Sequence, residues 1–470
     1  MNRRRFALGL AAAAPAAALA RAAGAQETPV PLGPGASAAI DDAVGGVMRR
    51  SGARGVSVAV ARDGTTVFAR GYGQRDLAKN LAVTPATIFP IGSITKQFTA
   101  ACVMLLVKDG AVDLDAPVAH YLPGAPHADL YRVRDLLQQT TGLAAYTATP
   151  GFLALVTSST VTPSALVNLV AGTELDAAPG TRFEYSNTNY VLAGTLIEHV
   201  SGKPYATVVH ERIAVPLGLA HLTFGPPTNA ADLARGYDPA TGTAPVVPWS
   251  AQATYAAGGL YAAPDDLLRW DHAFFTGALL DLATVHAMTT PPTLPGGAAT
   301  DYAFGWLRGT LDGHPTLWHN GSVLGGHAQN VWVPEQRIAI VVLGNQLDFD
   351  ESPIVTAAFR ALVPLVAAAG EDPAITARAR AEYDRWRAGN VDFSRYVPAV
   401  RANFKAQLAT LAAALNAYGA PTAFVFRGSQ HAAGITGYTY SVVTPGGTMA
   451  YVYAVDAAGK IAGLSFRPIP

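Results

Sequence analysis

The chain has 470 residues, of which 50% are hydrophobic and 14% are charged, and its 33 basic residues balance 33 acidic ones. This length allows more than one domain, and a balanced charge without a basic stripe argues against a nucleic-acid partner. The single cysteine, Cys102, excludes an internal disulfide. Because Cys102 lies in an apolar run, we interpret it as part of the core.

The first 25 residues are typical of a signal peptide. Three arginines and Phe6 precede an alanine-rich apolar run, and small residues lead up to Ala25. A basic start, a short apolar stretch and a small-residue cleavage site define such peptides, and the arginine cluster favours the twin-arginine route. A retained anchor is the weaker alternative, because the run is shorter than the roughly 20 residues of a spanning helix. We therefore expect a periplasmic or secreted protein, cleaved near Ala25, without a stable membrane anchor.

In chain order, the pattern predicts a helix, two strands joined by a turn, a second helix, a long middle rich in helices and loops, and returning strands. The early elements are a helix at 40–49, strands at 55–61 and 65–71, and a helix at 94–108. Strands return at 304–308, 327–333 and 338–343. Strands at both ends with helices between them predict an α+β fold of three α/β/α layers. In this fold the two chain halves close one antiparallel sheet that is flanked by helices, with an inserted, mainly helical lobe.

A second, smaller domain is expected after the main one. We place the main domain at residues 36–365, a linker at 366–384 and a small α+β domain at 385–470. The linker includes a charged helical segment without a strong apolar stripe. The last domain has an amphipathic helix at 404–418 followed by several strands, which suits an independent folding unit.

Ser93 stands where the second helix begins, and Lys96 follows it by three residues. Positions i and i+3 share a helical face, so the lysine amine can reach the serine hydroxyl. A serine hydroxyl needs a base to become a nucleophile, and a desolvated lysine can serve as that base, whereas arginine cannot. Only six of the 33 basic residues are lysines, so a lysine at this position is suggestive. The alternative is a solvated helix start that Ser93 caps.

Tyr185 is the only tyrosine that is followed two residues later by an asparagine, Asn187. A phenol beside a lysine can relay a proton between nucleophile and leaving group. Asn187 can hydrogen-bond either Lys96 or a substrate carbonyl. The alternative is an ordinary helix start, in which Asn187 or, more simply, Asn189 caps the helix that follows.

His319, Gly321 and Ser322 form a third candidate element. Small residues let the backbone approach a ligand closely, and a strand edge here can present the Ser322 N–H opposite that of Ser93, as an oxyanion hole requires. The alternative for His319 and His327 is metal ligation or a core position. Metal ligation is disfavoured because no Asp, Glu or Cys stands at ligand spacing. We therefore expect no metal and no other cofactor.

The motifs S-x-x-K, Y-x-N and H-x-G, in this order, resemble those of the serine β-lactamase-like family. This family includes class C β-lactamases, D-Ala-D-Ala carboxypeptidases, D-aminopeptidases and related esterases. The segments around Asp113, Asp135, Thr141 and Ala257 are also similar, and the resemblance covers about 37–347.

The resemblance implies a role for each motif residue. Ser93 forms an acyl-enzyme, Lys96 and Tyr185 move protons, and the amides of Ser93 and Ser322 hold the oxyanion. The remaining substrate-binding positions are Asn187, His319 and Gly321. The third motif departs from K-T-G, so the lysine that helps to hold the carboxylate of a β-lactam is missing. Gln139 also replaces a histidine that relatives often carry, at a position that we interpret as structural.

Together these observations predict an exported serine hydrolase that acts through an acyl-enzyme on an ester or on a D-amino-acid peptide or amide. A β-lactamase is the first alternative, and a catalytically silent, penicillin-binding-like recognition protein is the alternative of another class. An α/β-hydrolase is disfavoured because the chain contains no G-x-S-x-G elbow. The expected partner is a small-molecule or peptide substrate. The C-terminal domain resembles NTF2-like modules and has more basic than acidic residues, which suggests docking on the main domain or association with the cell wall.

Overall fold

The computed structural model describes residues 31–228, 230–297, 299–347 and 349–469. The predicted signal peptide lies outside these ranges, so export stays a prediction. The α-helices are α1 Pro34–Ser51, α2 Thr95–Lys108, α3 Val133–Gln138, α4 Phe152–Leu155, α5 Pro163–Asn168, α6 Asn187–Ser201, α7 Tyr205–Val209, α8 Val215–Leu217, α9 Ala251–Gly258, α10 Pro264–Phe275, α11 Leu282–Thr289, α12 Ser352–Leu362, α13 Pro373–Arg387 and α14 Pro398–Tyr418. The strands are β1 Gly55–Arg62, β2 Thr65–Asp76, β3 Leu81–Ala82, β4 Phe89–Pro90, β5 Thr223–Phe224, β6 Leu260–Ala262, β7 Leu307–Leu311, β8 His314–Val323, β9 Gly326–Val333, β10 Ile338–Gly344, β11 Ala423–Ala432, β12 Ile435–Thr444, β13 Gly447–Asp456 and β14 Ile461–Ile469. Within the described ranges, no helix combines the length and apolar character that crossing a bilayer requires.

A seven-stranded antiparallel sheet forms the centre of the main domain, in the order β3-β2-β1-β10-β9-β8-β7. Strand β1, from the start of the domain, pairs with β10 near its end, from Val56 opposite Gly344 to Arg62 opposite Ile338. The two chain halves therefore close one sheet, and the predicted α+β class is confirmed.

The two faces of this sheet are covered by different helices. Along β1, Val56 and Val58 belong to the core that includes α1 and α12, whereas Ala59 and Ala61 belong to the larger core that includes α2 and α10. This alternation follows from the two-residue period of a strand, and it produces the three α/β/α layers.

The inserted lobe lies between α2 and β7 and is mainly helical. A small sheet in the order β4-β6-β5 joins the lobe to the segment just before Ser93. Helix α6 begins at Asn187, earlier than expected, and Asn189 does not cap it. Asn189 is buried in the first turn, where it hydrogen-bonds Thr141 and Gln139 and so ties α6 to the loop after α3.

The C-terminal unit consists of α13, α14 and an antiparallel sheet in the order β11-β12-β13-β14. Helix α13 overlaps the segment predicted as a linker, yet it buries Ala379, Tyr383 and Trp386 in the core of this unit. Apolar residues at i, i+4 and i+7 form a narrow stripe, and the charges around it obscured this stripe in the sequence. The NTF2-like character of the unit stays a prediction.

The C-terminal unit packs on the sheet face that carries α12. Arg360 of α12 pairs with Asp312 at 2.6 Å and also donates to Thr448 of β13. Residues of β7–β9 and α12 and residues of the C-terminal sheet line a cavity of about 660 Å³ between the two units. The unit therefore covers part of the main sheet.

A buried polar cluster lies where α2, α10 and β9 meet. Asp271 is fully buried and accepts a hydrogen bond from Asn330 Nδ2 at 2.8 Å, and its Oδ2 has no partner within the described part of the chain. Asn330 Nδ2 also lies 3.3 Å from Gln97 Oε1. Burial raises the pKa of Asp271 to about 8, although the bond from Asn330 opposes the shift. At neutral pH the carboxyl is therefore protonated in the folded protein and ionised in the unfolded chain.

We expect Asp271→Asn to remove a pH dependence of the stability. Because the pKa of Asp271 is raised in the folded protein, the folded protein keeps a proton between about pH 4 and pH 8 that the unfolded chain has released. Wild-type stability therefore falls as the pH rises through this window, by at most about 1.4 kcal/mol per pH unit. The neutral amide still accepts from Asn330 and carries no such proton. Melts at about pH 5, 7 and 9 should show the Tm of the variant rising relative to wild type, and a constant difference would contradict this assignment.

Candidate active site

Ser93 lies in the 3₁₀ turn Gly92–Ile94, which leads directly into α2. Gly92 has a φ of 49°, which favours glycine. A Cβ on Gly92 would stand 2.8 Å from the Ser322 nitrogen, and a Cβ on Gly321 would overlap the backbone just before Ser93. Two glycines thus let the turn and β8 touch through their backbones, which brings the amides of Ser93 and Ser322 close together.

Lys96 is fully buried in the first turn of α2. Its Nζ lies 3.0 Å from Ser93 Oγ, 2.8 Å from Asn187 Oδ1 and 2.7 Å from the carbonyl oxygen of Ala257. None of these partners is a carboxylate, so burial lowers the pKa of Lys96 well below its usual range.

These three contacts show how Lys96 can act as a base. The Ala257 carbonyl and Asn187 Oδ1 can only accept, and the Asn187 amide is oriented by a 3.2 Å contact from its Nδ2 to Thr147 Oγ1. A neutral amine has two N–H groups for these two acceptors and one lone pair for the Ser93 hydroxyl. Neutral Lys96 is therefore arranged to take the proton of Ser93.

Tyr185 lies at the mouth of the site, with 39% of the residue exposed and its hydroxyl near that of Ser93. Its ring centroid is 4.8 Å from Lys96 Nζ. Desolvation of the hydroxyl raises the pKa of Tyr185 above its usual value, and the neighbouring Ser93 hydroxyl opposes the shift. Tyr185 therefore keeps its proton at neutral pH and can deliver it to a leaving group.

His319 is buried beside Tyr185 and Tyr302, with ring centroids 6.2 Å and 5.8 Å away. Its Nδ1 lies 2.6 Å from the carbonyl oxygen of Asn320, so Nδ1 carries the ring proton. Nε2 is then an acceptor, and it has no partner among the described residues. Burial and, second, the charge that Lys96 carries when it is protonated lower the pKa of His319 to about 3, so this position supplies no positive charge at neutral pH.

The Ser322 amide faces the turn that carries Ser93, away from the neighbouring strand. A tight turn joins β8 to β9, with Val323 opposite Gly326 and then Ser322 opposite His327. In a two-residue hairpin the closing pair exchanges both backbone hydrogen bonds, so the next pair points its N–H and C=O groups outward. The amides of Ser93 and Ser322 thus form the two-donor arrangement of an oxyanion hole.

The structure brings all the predicted site residues together: Ser93, Lys96, Tyr185, Asn187, His319, Gly321 and Ser322. Four contributors were not predicted: the Ala257 carbonyl, Thr147, Tyr302 and Glu351. Only Ala257, in its small-residue segment, carried a signal in the sequence. Glu351 Oε2 lies 2.7 Å from His327 Nε2, although no acidic residue stands near His327 in the sequence.

Residues 40–365 match the model of the Beta-lactamase family. The chain is 29% identical over 337 residues to the D-aminopeptidase of Brucella canis, which covers 70% of this chain and 62% of that protein. It is similar to the crystal structure of the D-amino acid amidase from Ochrobactrum anthropi SV3, with a TM-score of 0.60 and 27% identity over 70% of this chain and 99% of that chain. In fold alone it is similar to the octameric penicillin-binding protein homologue from Pyrococcus abyssi, with a TM-score of 0.62 and 21% identity over 89% of this chain and 96% of that chain.

The chain thus spans 62% of the length of the curated relative that it matches. The family match covers more than half of the chain and contains all three motifs that meet at Ser93. The chain therefore belongs to the Beta-lactamase family.

Proposed function

We propose that the chain is a serine hydrolase that acts through an acyl-enzyme at Ser93 on D-amino-acid amides, short D-amino-acid peptides and esters. The observation that carries this proposal is the fully buried Lys96 amine, 3.0 Å from Ser93 Oγ and without a carboxylate partner. A buried lysine with a lowered pKa beside a serine supports a nucleophile and its base more strongly than a structural contact.

The geometry supports a complete reaction. Ser93 Oγ attacks the substrate carbonyl carbon while its proton moves to Lys96, and the amides of Ser93 and Ser322 stabilise the oxyanion. Tyr185 donates its proton to the leaving nitrogen or oxygen as that bond breaks, and Lys96 returns a proton to Tyr185. Water then attacks the acyl-enzyme, gives its proton to Lys96, and the released Ser93 oxygen takes that proton back.

The neutral His319 favours substrates that present an N–H over substrates that present a carboxylate. A lysine in the third motif would offer a positive charge to a substrate carboxylate, whereas His319, with its pKa lowered to about 3, offers an unpartnered acceptor nitrogen. An acceptor suits a substrate N–H, such as that of an amine or amide. The names of the two relatives, D-aminopeptidase and D-amino acid amidase, support the D-amino-acid class.

We expect the purified protein to turn over p-nitrophenyl esters and D-aminoacyl amides, with kcat/KM at least about tenfold higher for D- than for L-aminoacyl amides. Peptides that end in D-Ala-D-Ala and the β-lactam nitrocefin should be poor substrates. Steady-state rates on this panel are the measurement, and Ser93→Ala is the control that should lose turnover. Preference for nitrocefin would favour the β-lactamase alternative. No turnover and no labelling by a fluorophosphonate would favour the silent recognition protein.

Lys96→Arg should be nearly as damaging as Lys96→Ala. Arginine can still donate hydrogen bonds, but it stays protonated and cannot accept a proton, and a general base contributes about 10²–10⁴-fold. The measurement is kcat/KM on one activated ester, with thermal melts to confirm folding. Lys79→Arg, at a side chain that is 72% exposed, is the matched control and should keep the wild-type rate. An arginine variant within about threefold of wild type would exclude Lys96 as the base.

Asn187→Asp should move the acidic limb of the pH–rate profile to higher pH. The reactive form is neutral Lys96, so kcat/KM falls as the pH drops through the lowered pKa of this group. A carboxylate at the position of Asn187 Oδ1, 2.8 Å from Nζ, stabilises the ammonium and raises this pKa. We expect a shift of at least about one pH unit in the kcat/KM profile of an ester. Asn187→Ala removes the same contact without adding charge and should not shift the limb upward; a similar upward shift in both variants would refute this account.

A further inference from the structure

A second hydrogen-bonded chain of side chains begins at Ser322. Ser322 Oγ lies 2.9 Å from His327 Nδ1, and His327 Nε2 lies 2.7 Å from Glu351 Oε2. The side chains of His327 and Glu351 are 6% and 15% exposed, and the Phe349 ring packs against the imidazole with ring centroids 4.9 Å apart. The mechanism above uses none of these three side chains.

These three hydrogen-bonded side chains lie on the opposite face of the sheet from the reacting groups. Along β8 the side chains alternate, so those of Ser322 and Asn320 lie on one face and that of His319 lies on the other. Ser322 therefore offers its backbone N–H to the site at one edge of β8 and its hydroxyl to His327 behind the strand. A hydrogen bond that fixes the Ser322 hydroxyl therefore also restrains the backbone dihedrals that set the direction of the N–H.

With a neutral His327 ring, the donors and acceptors among these three side chains have one consistent arrangement. The Glu351 carboxylate accepts, so His327 Nε2 carries a proton. In a neutral imidazole Nδ1 is then the acceptor, and the Ser322 hydroxyl donates to it. Each group is satisfied in one orientation, so the Ser322 side chain has one preferred position.

We propose that His327 and Glu351 are positioning residues for the oxyanion hole, acting through the Ser322 side chain on the Ser322 N–H. Because the oxyanion forms only in the transition state, losing this chain lowers kcat and leaves substrate binding nearly intact. The inference rests on the proposed function, since it requires acyl transfer at Ser93.

The test measures kcat and KM of three single variants of the whole polypeptide, His327→Leu, Glu351→Gln and Ser322→Ala, on one p-nitrophenyl ester. Removing an oxyanion donor outright costs about 10²–10³-fold, so misaiming one in His327→Leu should lower kcat about tenfold, with KM within about twofold. Glu351→Gln should have a smaller effect in the same direction. Ser322→Ala keeps the backbone N–H but loses the hydroxyl, so it should match His327→Leu.

A tetrahedral analogue separates positioning from general damage. Phenylboronic acid forms a tetrahedral adduct with a serine nucleophile, and its Ki should rise about tenfold in His327→Leu, in step with kcat. The double variant Ser322→Ala/His327→Leu should be no worse than either single variant, because both cut the same chain.

His314→Leu is the matched control. His314 begins β8, the strand that also carries Ser322, and its Nδ1 is 3.1 Å from Glu335 Oε2 in the turn after β9, so it is a half-buried histidine with a glutamate partner at the other end of the strand. This variant should keep wild-type kcat and Ki. If His327→Leu fails to fold in a thermal melt, Ser322→Ala and Glu351→Gln decide the question.

Three outcomes would overturn the inference: wild-type kcat in Ser322→Ala and Glu351→Gln, additive losses in the double variant, or a Ki unchanged while KM rises. A wild-type protein without turnover or boronate binding would instead overturn the proposed function itself.

Discussion

The burial of the Lys96 amine away from any carboxylate is the constraint on which the site depends. An isolated ammonium in a protein interior costs several kcal/mol, so burial lowers the pKa of Lys96 and favours the neutral amine. Neutral Lys96 then needs two acceptors and one hydroxyl, and three separate segments supply them. The Ala257 carbonyl is available because the last carbonyls of a helix, here α9, have no partner within that helix. Side chains of α2 satisfy two of these carbonyls, since Thr99 Oγ1 donates to Ala256 as Lys96 donates to Ala257.

A second constraint is the backbone contact between the turn that carries Ser93 and strand β8. Gly92 and Gly321 leave no side chain between the two segments, so the two amides can converge. The outward direction of the Ser322 N–H follows from the hairpin register of β8 and β9. The same register places His327 opposite Ser322, and so a single hairpin aims the amide and supplies the group that holds its side chain.

The two faces of the central sheet have different roles: one faces the reacting groups, and the other packs against the C-terminal unit. Lys96 and the neutral His319 lie on the face toward α2. Because the pKa of His319 is lowered, this face offers no positive charge at His319 to bind a substrate carboxylate. The other face carries α12 and the C-terminal unit, joined through Arg360, which is paired with Asp312 and bonded to Thr448. Glu351, which precedes α12, also lines the cavity between the units. The Glu351 end of the hydrogen-bonded side chains that begin at Ser322 is therefore close to the C-terminal unit.

The sequence by itself determined the fold class and indicated most residues of the candidate site. Strand and helix periodicities are local, so they predicted β1, β2, β9, β10 and helix α2, whereas the strand predicted at 304–308 overlaps β7 only at its end and β8 was not predicted. Short spacing placed Lys96 one turn from Ser93. The order of the motifs then indicated the family. The sequence did not reveal the stripe of α13 or the burial of Asn189, because each depends on what packs against it. Only the tertiary structure decided that the Ala257 carbonyl completes the Lys96 environment and that Glu351 reaches His327. Contacts between residues that are distant in the chain leave no periodic signal, and the pKa values of Lys96 and His319 follow from burial, which is a property of the whole fold.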